Sequence, residues 1–114
     1  MYSYRRNIRG IIDELLNNAL KAEATNVDIS VNFDGNQVKI CVEDNGSGIE
    51  KEKLEEVKKK LFQPRREELE DYYGSLAGQS YVGTGLSLVG MMTDKVEIET
   101  VPGKGTKITV FLVI

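Results

Sequence analysis

The chain has 114 residues, 40% apolar and 29% charged, with a net charge of −3. That length suits a single domain, 1–114, able to remove roughly two-thirds of its unfolded-chain surface from water. The acidic balance argues against a broad nucleic-acid footprint, and no apolar run approaches the ~20 residues a membrane-spanning helix needs.

With no apolar signal segment after Met1, a cytoplasmic location is expected. The absence of histidine excludes histidine bases, metal ligands and phosphoacceptors. The lone Cys41 cannot form an internal disulfide, and its apolar strand pattern reads as a small buried hydrophobe.

Ile8, Ile11, Ile12, Leu15, Leu16, Ala19 and Leu20 recur at helical spacing, with Arg5, Arg6, Arg9, Asp13 and Asn17 on the other side. This predicts an amphipathic helix from about Ser3 to Ala22. The period then changes to two: Val27, Ile29, Val31 and Phe33 alternate with polar residues. After Asp34-Gly35-Asn36 a second strand runs through Val38, Ile40 and Val42. The two strands read as a hairpin with one buried face.

A helix from about Lys51 to Leu61 follows, in which a solvated helix face accounts for Lys58-Lys59-Lys60. From Gln63 to Val82 no periodicity persists, and Pro64, Gly74 and Gly78 interrupt the chain; a lid is expected there. A short helix starts at Gly85 or Leu86. Two closing strands, about Lys95 to Val101 and Thr106 to Val113, are joined by Pro102-Gly103-Lys104-Gly105. Helices and strands that segregate along the chain indicate an α+β two-layer sandwich. Its helices lie on one face of a mixed, largely antiparallel sheet.

Four short motifs carry candidate chemistry. Glu14, Asn18 and Lys21 stand at i, i+4 and i+7, one stripe along the first helix. A carboxylate there can orient or deprotonate a hydroxyl or water, an amide oxygen is a hard ligand for Mg²⁺, and an ammonium can meet phosphate oxygens. Taken alone, such a stripe is equally an ordinary solvated helix edge.

Asp44 ends a strand and opens the Asn45-Gly46-Ser47-Gly48 turn, where an acceptor-only carboxylate suits an amino donor such as that of adenine. The same residues also make an ordinary turn. Gly83-Thr84-Gly85 precedes the Leu86 helix, a place where free amides can face an anion; a plain glycine loop is the alternative. Thr106 begins the last strand, with its hydroxyl able to reach a ligand or serving only as a strand former.

In this order and at these separations, the Glu-x-x-x-Asn helix, the DNGSGI turn, the lid-like gap, the GTGLSL helix start and the GKGT strand entry together resemble the GHKL superfamily of ATP-binding domains. The resemblance runs from about Ile8 to Val113. It implies the Bergerat fold, with ATP and Mg²⁺ bound between helices and sheet. Asp44 would face adenine, Asn18 would hold Mg²⁺, and Glu14 would act as general base. The turn glycines Gly46 and Gly48, with Lys21, Gly83, Thr84, Gly85, Leu86 and Thr106, would complete the nucleotide contacts.

Glu14-Leu15-Leu16-Asn17-Asn18-Ala19 looks like the mismatch-repair version. Leu61-Phe62-Gln63-Pro64 and Gly83-Thr84-Gly85-Leu86-Ser87-Leu88-Val89 resemble histidine-kinase catalytic domains, and Met92 to Thr100 resembles stand-alone anti-sigma-type serine kinases. Ser87 replaces a glycine common in the kinase motif, and the usual leading strand before the first helix has no counterpart. No second domain supplies the lysine that gyrase-type ATPases bring to the phosphates.

The resemblance therefore implies a kinase-like module that hands a γ-phosphate to a protein partner. The alternatives are a nucleotide-sensing interaction module, a homodimeric ATPase switch, or the isolated catalytic domain of a longer sensor kinase.

Overall fold

The computed structural model describes residues 4–65 and 85–114. Helix α1 spans Tyr4–Lys21, strands β1 and β2 span Val27–Asp34 and Gln37–Asp44, and helix α2 spans Lys51–Leu61. Helix α3 follows at Gly85–Met91, then β3 at Lys95–Val101 and β4 at Gly105–Val113. The sheet order is β1-β2-β4-β3 and all three pairings are antiparallel.

α1 ends in a Schellman-type closure, with Ala24 N donating to Ala19 O and Glu23 N to Leu20 O. Glu23 occupies the left-handed position at φ 61°, where glycine is usual. The β1–β2 hairpin turns on Gly35-Asn36 with Asp34 opposite Gln37, so only two residues form its loop.

The core lies where α1 crosses the two central strands. Ile8, Ile11 and Leu15 of α1 meet Val38, Ile40 and Val42 of β2 and Ile108, Val110 and Leu112 of β4, with Leu61, Val89 and Met92 closing the end. Across the central pair, Val38 faces Leu112, Ile40 faces Val110 and Val42 faces Ile108. Each such side chain contributes about 1.5–3 kcal/mol by leaving water. The helices therefore take one face of the sheet.

Two expectations need correction. β1 does not bury its apolar face: Ile29 and Phe33 remain 41% and 61% exposed. β1 is an edge strand, and α1 packs over β2 instead, so the alternation of β1 meets a helix only in part. Cys41 is also not in the core. It sits half-buried on the open face of the sheet between Ser30 and Thr109, and the Thr109 hydroxyl reaches its sulfur at 3.6 Å.

α2 and α3 are locked together by a close approach at Gly90. A Cβ there would run into the Lys60 carbonyl oxygen and stand 2.9 Å from that of Leu61. Backbone carbonyls cannot step aside as a side-chain tip can. Gly90→Ala is therefore expected to destabilise the domain by about 1–3 kcal/mol, as overpacking does. Thermal denaturation checks this; an unchanged midpoint would mean that α2 and α3 slide freely past each other.

Candidate functional site

The sheet end that carries Asp44 and Thr106 opens into a cleft of about 290 Å³ between α1 and α2. Asn18 and Lys21 come from α1, Asp44 from the end of β2, Gly48 from the following turn and Thr106 from β4. Asp44 and Thr106 are side by side because the β2–β4 register pairs them directly. Sequence spacing alone leaves that pairing open, since the two residues come from strands distant in the chain.

The 45–50 turn is held on three sides. Asn45 Oδ1 accepts from Thr25 N and Asn26 N, both at 2.9 Å, which ties the turn to the α1–β1 connection. Ser47 N donates to Ala22 O at 2.9 Å, and Gly103 N donates to Ser47 O at 2.6 Å. Gly48 adopts φ 74°, and a Cβ there would collide with the Val101 carbonyl, so both space and backbone call for glycine. The Asp44 carboxylate is positioned by this turn, its Oδ1 accepting from Gly46 N at 2.8 Å.

Thr106 is 7% exposed, and its hydroxyl is 2.9 Å from that of Thr100. Thr100 Oγ1 in turn accepts from Ile49 N at 2.9 Å and lies 3.2 Å from Gly105 O. If Thr100 donates to Gly105 O, Thr106 donates to Thr100 and offers an acceptor to the cleft. If Thr100 donates to Thr106, the Thr106 proton is left for a ligand. One carboxylate acceptor beside one adaptable hydroxyl is a donor–acceptor edge suited to a heterocyclic amide or amidine.

A second recess of about 140 Å³ adjoins the cleft and shares Asn18 and Lys21 with it. Glu14, Asn17, Lys60, Gly85 and Leu86 complete its walls. Glu14 is buried to 8% exposure, deeper than a helix-edge residue usually sits. Gly85, the first residue of α3, comes so close that a Cβ would overlap the Glu14 carboxylate.

Gly85→Ala is thus expected to push the carboxylate aside at little cost in stability, because a side-chain tip can move and alanine favours helix. The melting midpoint should hold, and under the expectation that Glu14 is a general base for ATP turnover, that turnover should fall by about 10²-fold, the loss a misplacement of roughly 1 Å can bring. Unchanged turnover would show that the position of Glu14 is irrelevant.

Of the residues singled out in the sequence, the structure brings Asn18, Lys21, Asp44, Gly48 and Thr106 to the cleft and Glu14, Asn18, Lys21, Gly85 and Leu86 to the recess. Gly46 lines neither but anchors Asp44. Gly83, Thr84 and residues 66–82 of the expected lid lie outside the described residues. The beginning of that segment is pinned: Gln63 Nε2 donates to Lys60 O at 2.8 Å, and Arg65 Nη1 pairs with Asp94 Oδ2 at 2.7 Å.

Sequence reasoning missed the wall contributed by α2. Lys53, Val57 and Lys60 stand at i, i+4 and i+7 and face the two hollows. That spacing is the signal that could have found them.

The chain matches the family of histidine kinase-, DNA gyrase B- and HSP90-like ATPases over residues 4–114, and it belongs to that family. Domains of this class bind ATP, generally with Mg²⁺. No curated protein matches the chain. Among the described residues no helix is long and apolar enough to cross a membrane.

The donor set fits such a ligand. Among the described residues no group of three or more carboxylate, thiol or imidazole side chains could cage a metal. Mg²⁺ commonly needs only one or two protein oxygens when substrate phosphates and water supply the rest. Asn18 Oδ1, with Asn17 beside it in the recess, is an oxygen source of that kind.

Proposed function

We propose that this chain is an ATP- and Mg²⁺-binding kinase-like module that transfers a γ-phosphate to a partner protein in signalling. What supports the reading is the adjacency of the two hollows. The cleft carries the Asp44–Thr106 edge, the recess carries Glu14, and Asn18 and Lys21 belong to both. A base-binding edge and a reactive centre joined by a metal-binding amide and an ammonium follow the layout of a nucleotide triphosphate.

In this reading the Asp44 carboxylate accepts from the exocyclic amino group of adenine, and Thr106 turns its hydroxyl to suit the neighbouring ring nitrogen. A guanine would present an oxygen where adenine presents that amino donor, so Asp44 also rejects it. Asn18 would hold Mg²⁺, whose charge offsets that of the phosphates. Lys21 meets phosphate oxygens. Glu14 orients the acceptor hydroxyl and takes its proton as the new P–O bond forms and the bond to the ADP oxygen breaks. Positioning and charge neutralisation carry most of such a reaction, which a domain of this size can supply.

A water molecule could stand where the acceptor hydroxyl stands, which makes a hydrolytic switch the second reading. To separate the two, partners recovered with the chain are incubated with ATP and Mg²⁺ alongside a Glu14→Gln control. Phosphopeptides are then mapped by mass spectrometry while phosphate release is followed. A partner phosphorylated only with the parent chain supports transfer. Phosphate release without a phosphoprotein replaces transfer with hydrolysis, and neither product leaves nucleotide sensing.

A further inference from the structure

Lys60 was accounted for above as part of a solvated run, yet it is half-buried and forms a wall of the recess that holds Glu14, Asn18 and Lys21. The placement has a geometric cause. On α1, Glu14, Asn18 and Lys21 form one stripe; on α2, Lys53, Val57 and Lys60 form another at the same i, i+4, i+7 spacing. The stripes face each other across the two hollows. Lys53 and Val57 meet Asn18 and Lys21 at the Asp44 end, and Lys60 meets Glu14 and Asn18 at the other.

The backbone at Lys60 is held firmly. Leu61 beside it is 1% exposed, Gly90 of α3 packs against the Lys60 carbonyl, and Gln63 Nε2 donates to the same oxygen at 2.8 Å. The lysine therefore springs from a fixed backbone position and not from a frayed helix end. Among the described residues neither Lys60 nor Lys21 has an ion-pair partner. Two lysines thus line one recess, beside the single carboxylate of Glu14, in a protein whose net charge is negative. The recess, at about 140 Å³, exceeds the roughly 30 Å³ that one water occupies in the liquid.

We propose that Lys60 is a phosphate-binding residue for the distal end of a nucleotide polyphosphate, forming with Lys21 a two-ammonium clamp built within this one domain. The proposal rests on the nucleotide reading of the cleft and adds to it a residue and a selectivity: di- and triphosphates are distinguished from monophosphates at Lys60. The Lys53–Val57 end of the α2 stripe lies on the Asp44 side, so a base held at Asp44 sits at the opposite end of the stripe from Lys60.

Calorimetric titration of the parent chain, Lys60→Met and Lys60→Arg with ATP, ADP and AMP in the presence of Mg²⁺ tests this. Lys60→Met is expected to bind ATP about 10- to 100-fold more weakly, the range for one charge-assisted contact. AMP affinity and the melting midpoint without nucleotide should stay unchanged, and Lys60→Arg should recover most of the ATP affinity. If Lys60→Met binds ATP as the parent does, or loses ATP and AMP equally, Lys60 is not a distal-phosphate ligand while the cleft reading survives. If the parent itself binds none of the three nucleotides, the cleft reading and the clamp fall together.

Discussion

Glu14→Gln is expected to lower ATP turnover, by transfer or hydrolysis, by about 10²–10⁴-fold, the usual loss when a general base is removed. The substitution preserves the shape of the side chain that packs against Gly85. It removes the capacity to take a proton, together with the negative charge. ATP affinity should change little, because in the proposed reading the carboxylate acts on the attacking oxygen while Asn18, Lys21 and Asp44 hold the nucleotide. Asn18→Ala should differ by losing the Mg²⁺-dependent part of binding as well. Single-turnover kinetics beside calorimetry read the two quantities separately; full turnover by Glu14→Gln would return Glu14 to a structural role at the α1–α3 contact.

Asp44→Asn is expected to weaken adenine-nucleotide binding strongly while the fold survives. The asparagine oxygen can keep the 2.8 Å bond from Gly46 N, so the turn stays intact. Its amide nitrogen then points a donor at adenine's own amino donor. A mismatched pair shut away from water costs about 1–3 kcal/mol, or roughly 5- to 150-fold in affinity, and more where a charged group is involved. Unchanged ATP affinity by calorimetry would sink the adenine assignment, and a lowered melting midpoint would instead assign Asp44 to the turn.

The elements were legible because each has a period and a stop. α2 and β3 occupy Lys51–Leu61 and Lys95–Val101, the spans their apolar spacing indicates, and α1 and β4 depart from expectation only at their ends. The polar stripe of α1 was legible for the same reason: i, i+4, i+7 places Glu14, Asn18 and Lys21 together whatever the fold does. The motif order carried the family, and the family match over residues 4–114 bears that out.

What the sequence determined by itself was thus local: which residues share a helix face, which alternate along a strand, and which turn must bend at Gly48. Tertiary structure decided everything that depends on a neighbour distant in the chain. The β2–β4 register put Thr106 beside Asp44, the edge position of β1 left Phe33 exposed despite its strand pattern, and the seating of α3 on α2 turned Lys60 inward. The physical reason is that periodicity reports the direction of a side chain relative to its own element. Burial and encounter depend on which other element occupies that side.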